Sequence, residues 1–386
     1  MKISVVIPTR NRAAHLERAL DALARQVWLP DEVVVVDASD EPERSGDLPV
    51  GVARVAASPA CDGDARAGGI APGRRAAGAG AAPDASAPRR GAARPFPVVR
   101  LRSRPGVCAQ RNEGIRRATG THVLLCDDDI ELPPEYLRRL GEYVAAHPEA
   151  GAVTGVVCER DASGGFPRGF AAPSFRHLLF AFTFQLTVWA DVEAADGNVL
   201  TALPLWALKR WYRRRGNTWT VAGWPLVTQV RGGAVRTATF GLGAALVRRD
   251  WLLASPYDER FDPHGIGDNY GVALGFPGER PITVLTDVYA LHHRAPENRL
   301  DTAESYYRRV LALDYFLRAS GRFSTWSIVA LAWSLLGKAV IAAARRQADL
   351  LRQTIRALAV VVSGRNPLLA ATPGSAAVLA EAPGAS

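Results

Sequence analysis

The sequence predicts an α/β protein built on a parallel sheet, and three observations near its start predict it. Ile3 to Ile7 is a short β-branched run stopped by Pro8, Leu16, Ala19, Leu20 and Leu23 then recur at helical spacing, and Glu32 to Val36 is a second apolar run closed by Asp37. Strand, helix and strand within 37 residues describe a βαβ unit, whose strands are parallel and whose crossover is right-handed.

The elements follow in order. Residues 41–97 are filled with Ala, Gly, Pro and Arg and keep no apolar periodicity, which predicts a disordered surface insertion. Order resumes at Val98 to Leu101, with a helix over Val107 to Ala118 and a strand over Thr121 to Cys126. Asp127, Asp128 and Asp129 stand at the end of that strand. Pro133 and Pro134 open a helix through Val144, and Ala152 to Cys158 is a strand. Residues 164–235 give no clear pattern; Phe240 to Val247 and Ile282 to Tyr289 are further strands. Trp326 to Ala344 is an apolar helix with Ser327, Ser334, Lys338, Arg345 and Asp349 along one narrow stripe. The Ala-, Pro- and Gly-rich residues beyond Gly364 predict a disordered tail.

Composition narrows the class. An apolar content of 48% supports a core and excludes global disorder. The net charge is +9, and all but three of the 47 basic residues are Arg, which supplies forked partners for phosphate. That charge alone fits nucleic acid, anionic lipid or a phosphorylated substrate equally. Cys61, Cys108, Cys126 and Cys158 have neither metal-type pairing nor the density of a disulfide framework, which points to a reducing compartment. The opening apolar run is too short for a secretory leader, so a cytoplasmic protein is expected.

Three acids directly after an apolar strand carry the chemistry. In an open α/β sheet, ligands gather at the carboxyl ends of strands, where Asp37 and Asp129 would both lie. Carboxylates suit Mg²⁺ or Mn²⁺, and Asp127 and Asp129 would point the same way in an extended segment. A solvated turn or a helix N-cap explains the triplet by itself just as well.

The context of the triplet resembles glycosyltransferase family 2, with its GT-A fold. The resemblance rests on Val5-Val6-Ile7-Pro8-Thr9-Arg10-Asn11-Arg12, Glu32-Val33-Val34-Val35-Val36-Asp37-Ala38-Ser39 and Gly106-Val107-Cys108-Ala109-Gln110-Arg111-Asn112-Glu113-Gly114-Ile115. It continues in Val123-Leu124-Leu125-Cys126-Asp127-Asp128-Asp129 and Gly243-Ala244-Ala245-Leu246-Val247-Arg248-Arg249-Asp250, in the family's order. It implies a mostly parallel Rossmann-like sheet flanked by helices, and inverting, metal-dependent sugar transfer from a nucleoside-diphosphate sugar. The family's habit favours UDP and a place in cell-envelope polysaccharide synthesis.

The resemblance also implies roles. Pro8, Thr9 and Arg10 look like the wall around the nucleotide, Asp37 like the acid that bonds the base, and Arg111 like the basic donor-site position. Asp127 and Asp129 match the DxD positions that hold Mn²⁺ or Mg²⁺, with Asp128 between them in the donor site. His292 and His293 are similar to a metal- or diphosphate-binding His, and Arg294 is a further diphosphate partner. Asp268 matches the acceptor base, with Asp262 as the other candidate. Here the sequence departs from the family: Gly267 replaces the usual Glu, and Gly271-Val272-Ala273-Leu274-Gly275 lacks the usual Arg.

The predicted organisation is a catalytic domain over 1–310 interrupted at 41–97, C-terminal helices over 311–363 that are candidates for membrane association, and a tail over 364–386. Trp206, Trp211 and Tyr212 mixed with Lys209, Arg210 and Arg213 to Arg215 suit a membrane interface, or a lid that receives a lipid-linked or polysaccharide acceptor. The helix from Trp326 suits an in-plane position or docking on the catalytic domain, with peripheral contact to the inner face of the cell membrane. Nucleic acid is not an expected partner, because it leaves Asp127 to Asp129 unexplained. The rival readings are a sugar nucleotidyltransferase, which usually carries a Gly-rich segment where Pro8-Thr9-Arg10-Asn11 stands, and an inactive nucleotide-sugar-binding scaffold.

Overall fold

The computed structural model describes residues 1–40, 94–161, 164–297 and 299–370. The expected insertion therefore lies outside the described residues except for 94–97, and the expected tail lies outside them beyond Ala370.

The chain runs β1 (Ile3–Thr9), α1 (Ala13–Ala24), β2 (Glu32–Asp37), β3 (Val98–Arg102), α2 (Val107–Arg117), β4 (His122–Leu125), β5 (Ile130–Glu131), α3 (Tyr136–Ala146) and β6 (Ala152–Glu159). It continues with α4 (Phe175–Thr183), β7 (Val188–Trp189), α5 (Ala202–Arg215), β8 (Leu226–Val227), β9 (Ala234–Thr237), β10 (Ala245–Arg248), α6 (Arg249–Ala254) and α7 (Asp268–Gly275). It closes with β11 (Ile282–His292), α8 (Thr302–Ala319), α9 (Thr325–Ala344), α10 (Ala348–Ser363) and α11 (Pro367–Ala370).

Nine strands form one sheet in the order β3-β2-β1-β4-β10-β6-β11-β5, with β9 also on β11. The pairs β1–β2, β2–β3, β1–β4 and β6–β11 are parallel, whereas β10 runs antiparallel between β4 and β6. The predicted βαβ start is present, with Val5 opposite Val33 and Thr9 opposite Asp37. The strand order reverses between β1 and β4, which opens a crevice at their carboxyl ends.

Alternate strand residues face opposite sides of the sheet. Ile3, Val5 and Ile7 pack with Leu16 and Leu20 of α1 and Leu137 and Leu140 of α3. Val6, Val34 and Val36 face a larger core with Ile115 of α2, Val272 of α7 and Leu311 of α8. Both faces are covered, so β1 and β2 are buried along their whole lengths. The same core reaches Leu331 and Leu335 of α9 and Val361 of α10, so the C-terminal helices share it with the sheet.

The residues without a clear sequence pattern form α4, α5 and the two-stranded β7–β8 sheet, with a small core of their own. The apolar run from Leu178 to Ala190 is not one element: α4 ends at Thr183, Gln185 takes a left-handed conformation at φ 51°, and β7 follows. Two boundaries also differ from expectation. The helix after Pro133 starts only at Tyr136, and the strand expected over Phe240 to Val247 is confined to Ala245–Arg248, after Gly241 and Gly243.

Candidate active site

Strand ends at the β1–β4 crevice bring the predicted donor residues together. Gln110 on α2 is buried, and its Nε2 donates to the carbonyls of Thr9 and Val36 at 2.8 and 2.7 Å, which ties the ends of β1 and β2. Asp37 is buried there, and its Oδ1 accepts the Ser39 N–H at 2.8 Å. Asn11 turns the chain from β1 into α1 with φ 57°, a region that Asn tolerates better than most residues. Its side chain and that of Arg10 both bond Asp40, at 2.7 and 3.0 Å. Pro8 and Thr9 lie just behind this turn.

The acidic triplet does not continue the strand. β4 stops at Leu125, the Asp127 N–H bonds the Gly243 carbonyl at 3.0 Å, and Asp128 and Asp129 sit in a turn. The two outer acids therefore do not share one face of an extended segment. Asp128 is buried, accepting from Thr9 Oγ1 at 2.8 Å and from Arg12 Nη1 at 3.0 Å. Burial pushes its carboxyl up to about 6, against the pull of Arg12. Asp129 is buried, and its Oδ2 accepts the Ala295 N–H at 2.9 Å and Arg299 Nη2 at 3.1 Å. Its Oδ1 lies 3.3 Å from His292 Nε2. Burial would raise Asp129, but the His292 bond and charge outweigh it and hold the carboxyl well below its ordinary value. The same pair raises His292 against the effect of burial. Asp127 is the open member of the triplet, 32% exposed, and a side chain at Gly243 would run into it.

Adjacent ligands on an ion with bonds of about 2.1 Å lie about 3 Å apart. Asp129 Oδ1 and His292 Nε2, an oxygen and an imidazole nitrogen at 3.3 Å, meet that spacing. Among the described residues no group of three or more His, Cys, Asp or Glu side chains forms a site. Two protein donors fit a Mg²⁺-like ion that leaves its other positions to water and phosphate oxygens.

Arg111 links this pole to the candidate base. It is buried on α2, with Nη2 2.6 Å from Asp127 Oδ1 and Nη1 bonded to Asp268 Oδ2, and its guanidinium lies 5.0 Å from the centre of the Tyr257 ring. Burial disfavours its charge, yet Asp127 and Asp268 more than compensate and hold it protonated. Asp268 is the first residue of α7 and is 5% exposed. Burial pushes its carboxyl up to about 6, against the pull of Arg111. Asp262, the other base candidate, is committed elsewhere: its two oxygens accept the N–H groups of Cys108 and Ala109 at 2.7 and 3.2 Å, capping α2. A side chain at Gly106 would collide with that carboxylate.

Thr9, Asp128, Arg12, Asp129 and His292 thus form one set of polar contacts and Asp127, Arg111 and Asp268 another, and the backbone of the triplet joins the two into one site. His293 is not part of it: its Nε2 lies 2.9 Å from Glu131, and its ring meets Phe166 edge-on. Arg294 also turns away, to Glu159 at 3.0 Å. Two arginines that sequence reasoning missed take these places, Arg12 on Asp128 and Arg299 on Asp129. Arg12 ends the first family-like block, a signal that could have found it; Arg299 had none beyond its charge. A hollow of about 640 Å³ beside Met1, Thr121, His122 and Arg248 lies at the opposite ends of β1 and β4 from this set.

Residues 4–48 and 89–193 match the family model described as glycosyl transferase family 2. An uncharacterized glycosyltransferase of Bacillus subtilis (strain 168), YwdF, is 26% identical over 144 residues, which are 37% of this chain and 38% of that protein. The matched part of the chain thus spans well under half the length of that relative. Among solved structures, S. aureus TarS 1–349 in complex with UDP-GlcNAc aligns over 96% of this chain and 86% of its own, with 16% identity and a TM-score of 0.44. GalNAc-T7 with UDP, GalNAc and Mn²⁺ aligns over 95% of this chain and 58% of its own, with 12% identity and a TM-score of 0.47. The family match takes in the ends of β1, β2 and β4 with Thr9, Asp37, Arg111 and the acidic triplet, and over these residues the chain is similar to glycosyltransferase family 2.

Proposed function

We propose that the chain transfers a sugar from a nucleoside-diphosphate sugar, UDP by the family's habit, to a hydroxyl of a lipid-linked or polysaccharide acceptor, with inversion at the anomeric carbon. The observation that carries this reading is Arg111, which ties Asp127, the first acid of the triplet, to a buried carboxylate at Asp268. Pro8, Thr9, Arg10 and Asp37 wall the nucleoside at the ends of β1 and β2. Arg12 and Arg299, already aimed at the triplet, supply charge for the diphosphate. Asp128 positions Arg12 in this scheme. Asp129 and His292 would hold Mn²⁺ or Mg²⁺, with Asp127 as the open neighbour, and such an ion supplies charge neutralisation at the diphosphate.

Asp268 takes the proton of the acceptor hydroxyl. The acceptor oxygen bonds to the anomeric carbon as the bond from that carbon to the diphosphate oxygen breaks, and the electron pair leaves with the nucleoside diphosphate. For this Arg111 must release Asp268, and anionic donor beside Asp127 gives the guanidinium another partner. A reducing, cytoplasmic setting is in keeping with free, buried Cys108, Cys126 and Cys158.

The test is thermal stability in UDP-, GDP- and dTDP-sugars, with and without Mn²⁺, beside Asp129→Ala. A ligand at about 100 times its dissociation constant adds about 2.7 kcal/mol to the native state. Metal-dependent stabilisation by one nucleotide class, lost in the variant, is expected; none from any donor in folded protein would remove the donor site. One observation favours a second reading, an inactive donor-binding protein: Asp268 is 5% exposed and held by Arg111. Donor that binds but never turns over with any glycan acceptor or water would select it.

A further inference from the structure

The outward face of α9 carries Trp326, Val329, Trp333, Leu336 and Val340, exposed by 75, 54, 46, 44 and 54%. Spacings of three and four residues put them on one stripe, and a helix of 20 residues gives it a length of about 30 Å. Past its first residue, the polar residues of the same helix turn inward instead. Ser327 and Ser334 are buried, Ser334 Oγ accepts Trp224 Nε1 at 2.9 Å, and Lys338 Nζ lies 5.1 Å from the centre of the Tyr306 ring. Lys338 is the one charged residue of α9. The helix is amphipathic in the reverse sense, with its polar groups satisfied against the protein and its apolar stripe outside. An exposed stripe of this size marks an interaction surface.

Length and composition would let α9 cross a bilayer, with a hydropathy of 1.8. Its inner face argues against that, because Leu331 and Leu335 belong to the core shared with the sheet. It lies along the protein and leaves one face free. Trp333 shows how that face is fixed: its Nε1 donates to the Thr183 carbonyl at 2.7 Å and its ring stacks on Phe184 at 4.9 Å.

Charge at the ends selects the occupant. Arg322 precedes the stripe, Arg345 and Arg346 follow it, all three are exposed, and among the described residues none of them makes an ion pair. The sequence has no acid between Asp314, which is buried, and Asp349. A second copy of the chain laid along the stripe in either direction would set arginines against arginines, which costs energy. An anionic lipid surface offers acyl chains to the stripe and phosphates to both ends.

We propose that α9 seats the protein on an anionic bilayer, lying in the plane of the interface with Trp326 and Trp333 at the acyl boundary and Arg322, Arg345 and Arg346 among the headgroup phosphates. This goes beyond the donor reading and stands independently of it. Co-sedimentation of the full chain with phosphatidylcholine vesicles, with and without phosphatidylglycerol, tests it. The protein is expected to sediment with the anionic vesicles and to leave the neutral ones at moderate salt. Trp326→Glu with Leu336→Glu should weaken binding at least about tenfold, and Arg345→Glu with Arg346→Glu should weaken it by a similar factor that shrinks at high salt. All four side chains point outward, so both variants should keep the cooperative melt of the parent. Folded protein that binds neither vesicle would overturn the proposal, as would equal binding to both. Undiminished binding by the Trp326→Glu, Leu336→Glu variant would also overturn it. A dimer in light scattering that this variant abolishes would give the face to a second copy instead.

Discussion

Asp268 has two constraints, burial that favours its neutral form and a guanidinium that favours its charge, and burial is the larger. Its carboxyl stands at about 6 in the folded protein against 3.8 ordinarily, so the folded state holds that proton more tightly than the unfolded chain. The stability it contributes is full below the unfolded value and is lost as pH rises through about 6. The difference in unfolding free energy between wild type and Asp268→Asn should follow that slope, and a difference flat from pH 4 to 7 would refute it. If Asp268 is the base proposed above, activity runs the other way, since a base must be ionised: kcat/KM should rise along a limb near 6. Asp268→Asn should lower kcat by about 10²- to 10⁴-fold with donor affinity unchanged, separable by single-turnover rates and donor titration. A kcat within a few-fold of wild type would move the base elsewhere. At this scale the sequence showed that Asp127, Asp128 and Asp129 follow β4, because strand ends are predictable. It did not show which arginines reach them. Arg12 rather than Arg10, and Arg299 rather than Arg294, contact the triplet because turns before α1 and after β11 aim their long side chains, and turn geometry leaves little trace in composition.

At the level of elements, Gly267 stands where a larger residue does not fit. It enters α7 with φ 93°, and a β-carbon there would lie 2.6 Å from the Ala312 side chain on α8. Conformational strain and overpacking then act together, and Gly267→Ala should cost about 2–5 kcal/mol in denaturant unfolding. Gly278 separates the two effects, since it has φ 88° with nothing within 4 Å. Gly278→Ala should cost only about 1–2 kcal/mol. Equal losses in the two variants would show that α7 can move off α8. Asp262 is tested through the element it caps: Asp262→Ala removes the acceptor for two N–H groups of α2 and should cost about 0.5–2 kcal/mol. Legibility at this scale followed burial. β1, α1, β2 and α2 were legible because apolar period and element agree. α4, β7 and β8 were not, since the run from Leu178 to Ala190 is broken at Gln185 by a backbone conformation that hydropathy does not encode.

The whole molecule folds around a core that does not respect the expected boundary near residue 310. Leu331, Leu335, Ala357, Val361 and Leu368 from the last helices are buried in one cluster with Val34 and Val36 of the sheet. These are ordinary apolar residues, and nothing in their spacing names the partner they cover, which is why the sequence left an in-plane position and docking on the catalytic domain both open. Polar contacts reinforce the join: Asn366 donates to the Leu311 carbonyl at 2.8 Å and to Asp314 Oδ2 at 2.9 Å, inside a buried pocket that Arg318 closes. Removing α9 to α11 would leave that face of α8 bare and Asp314, which is fully buried, without its Asn366 partner. Fully burying one large aliphatic side chain is worth about 1.5–3 kcal/mol, so losing three leucines and a valine from a shared core approaches the total stability of a typical protein. A chain ending at Ser320 is therefore expected to lack a cooperative melt and near-ultraviolet circular dichroism, and to expose apolar surface to dye. If it melts cooperatively within a few degrees of the full chain, the sheet holds itself together and the helices are an appendage after all.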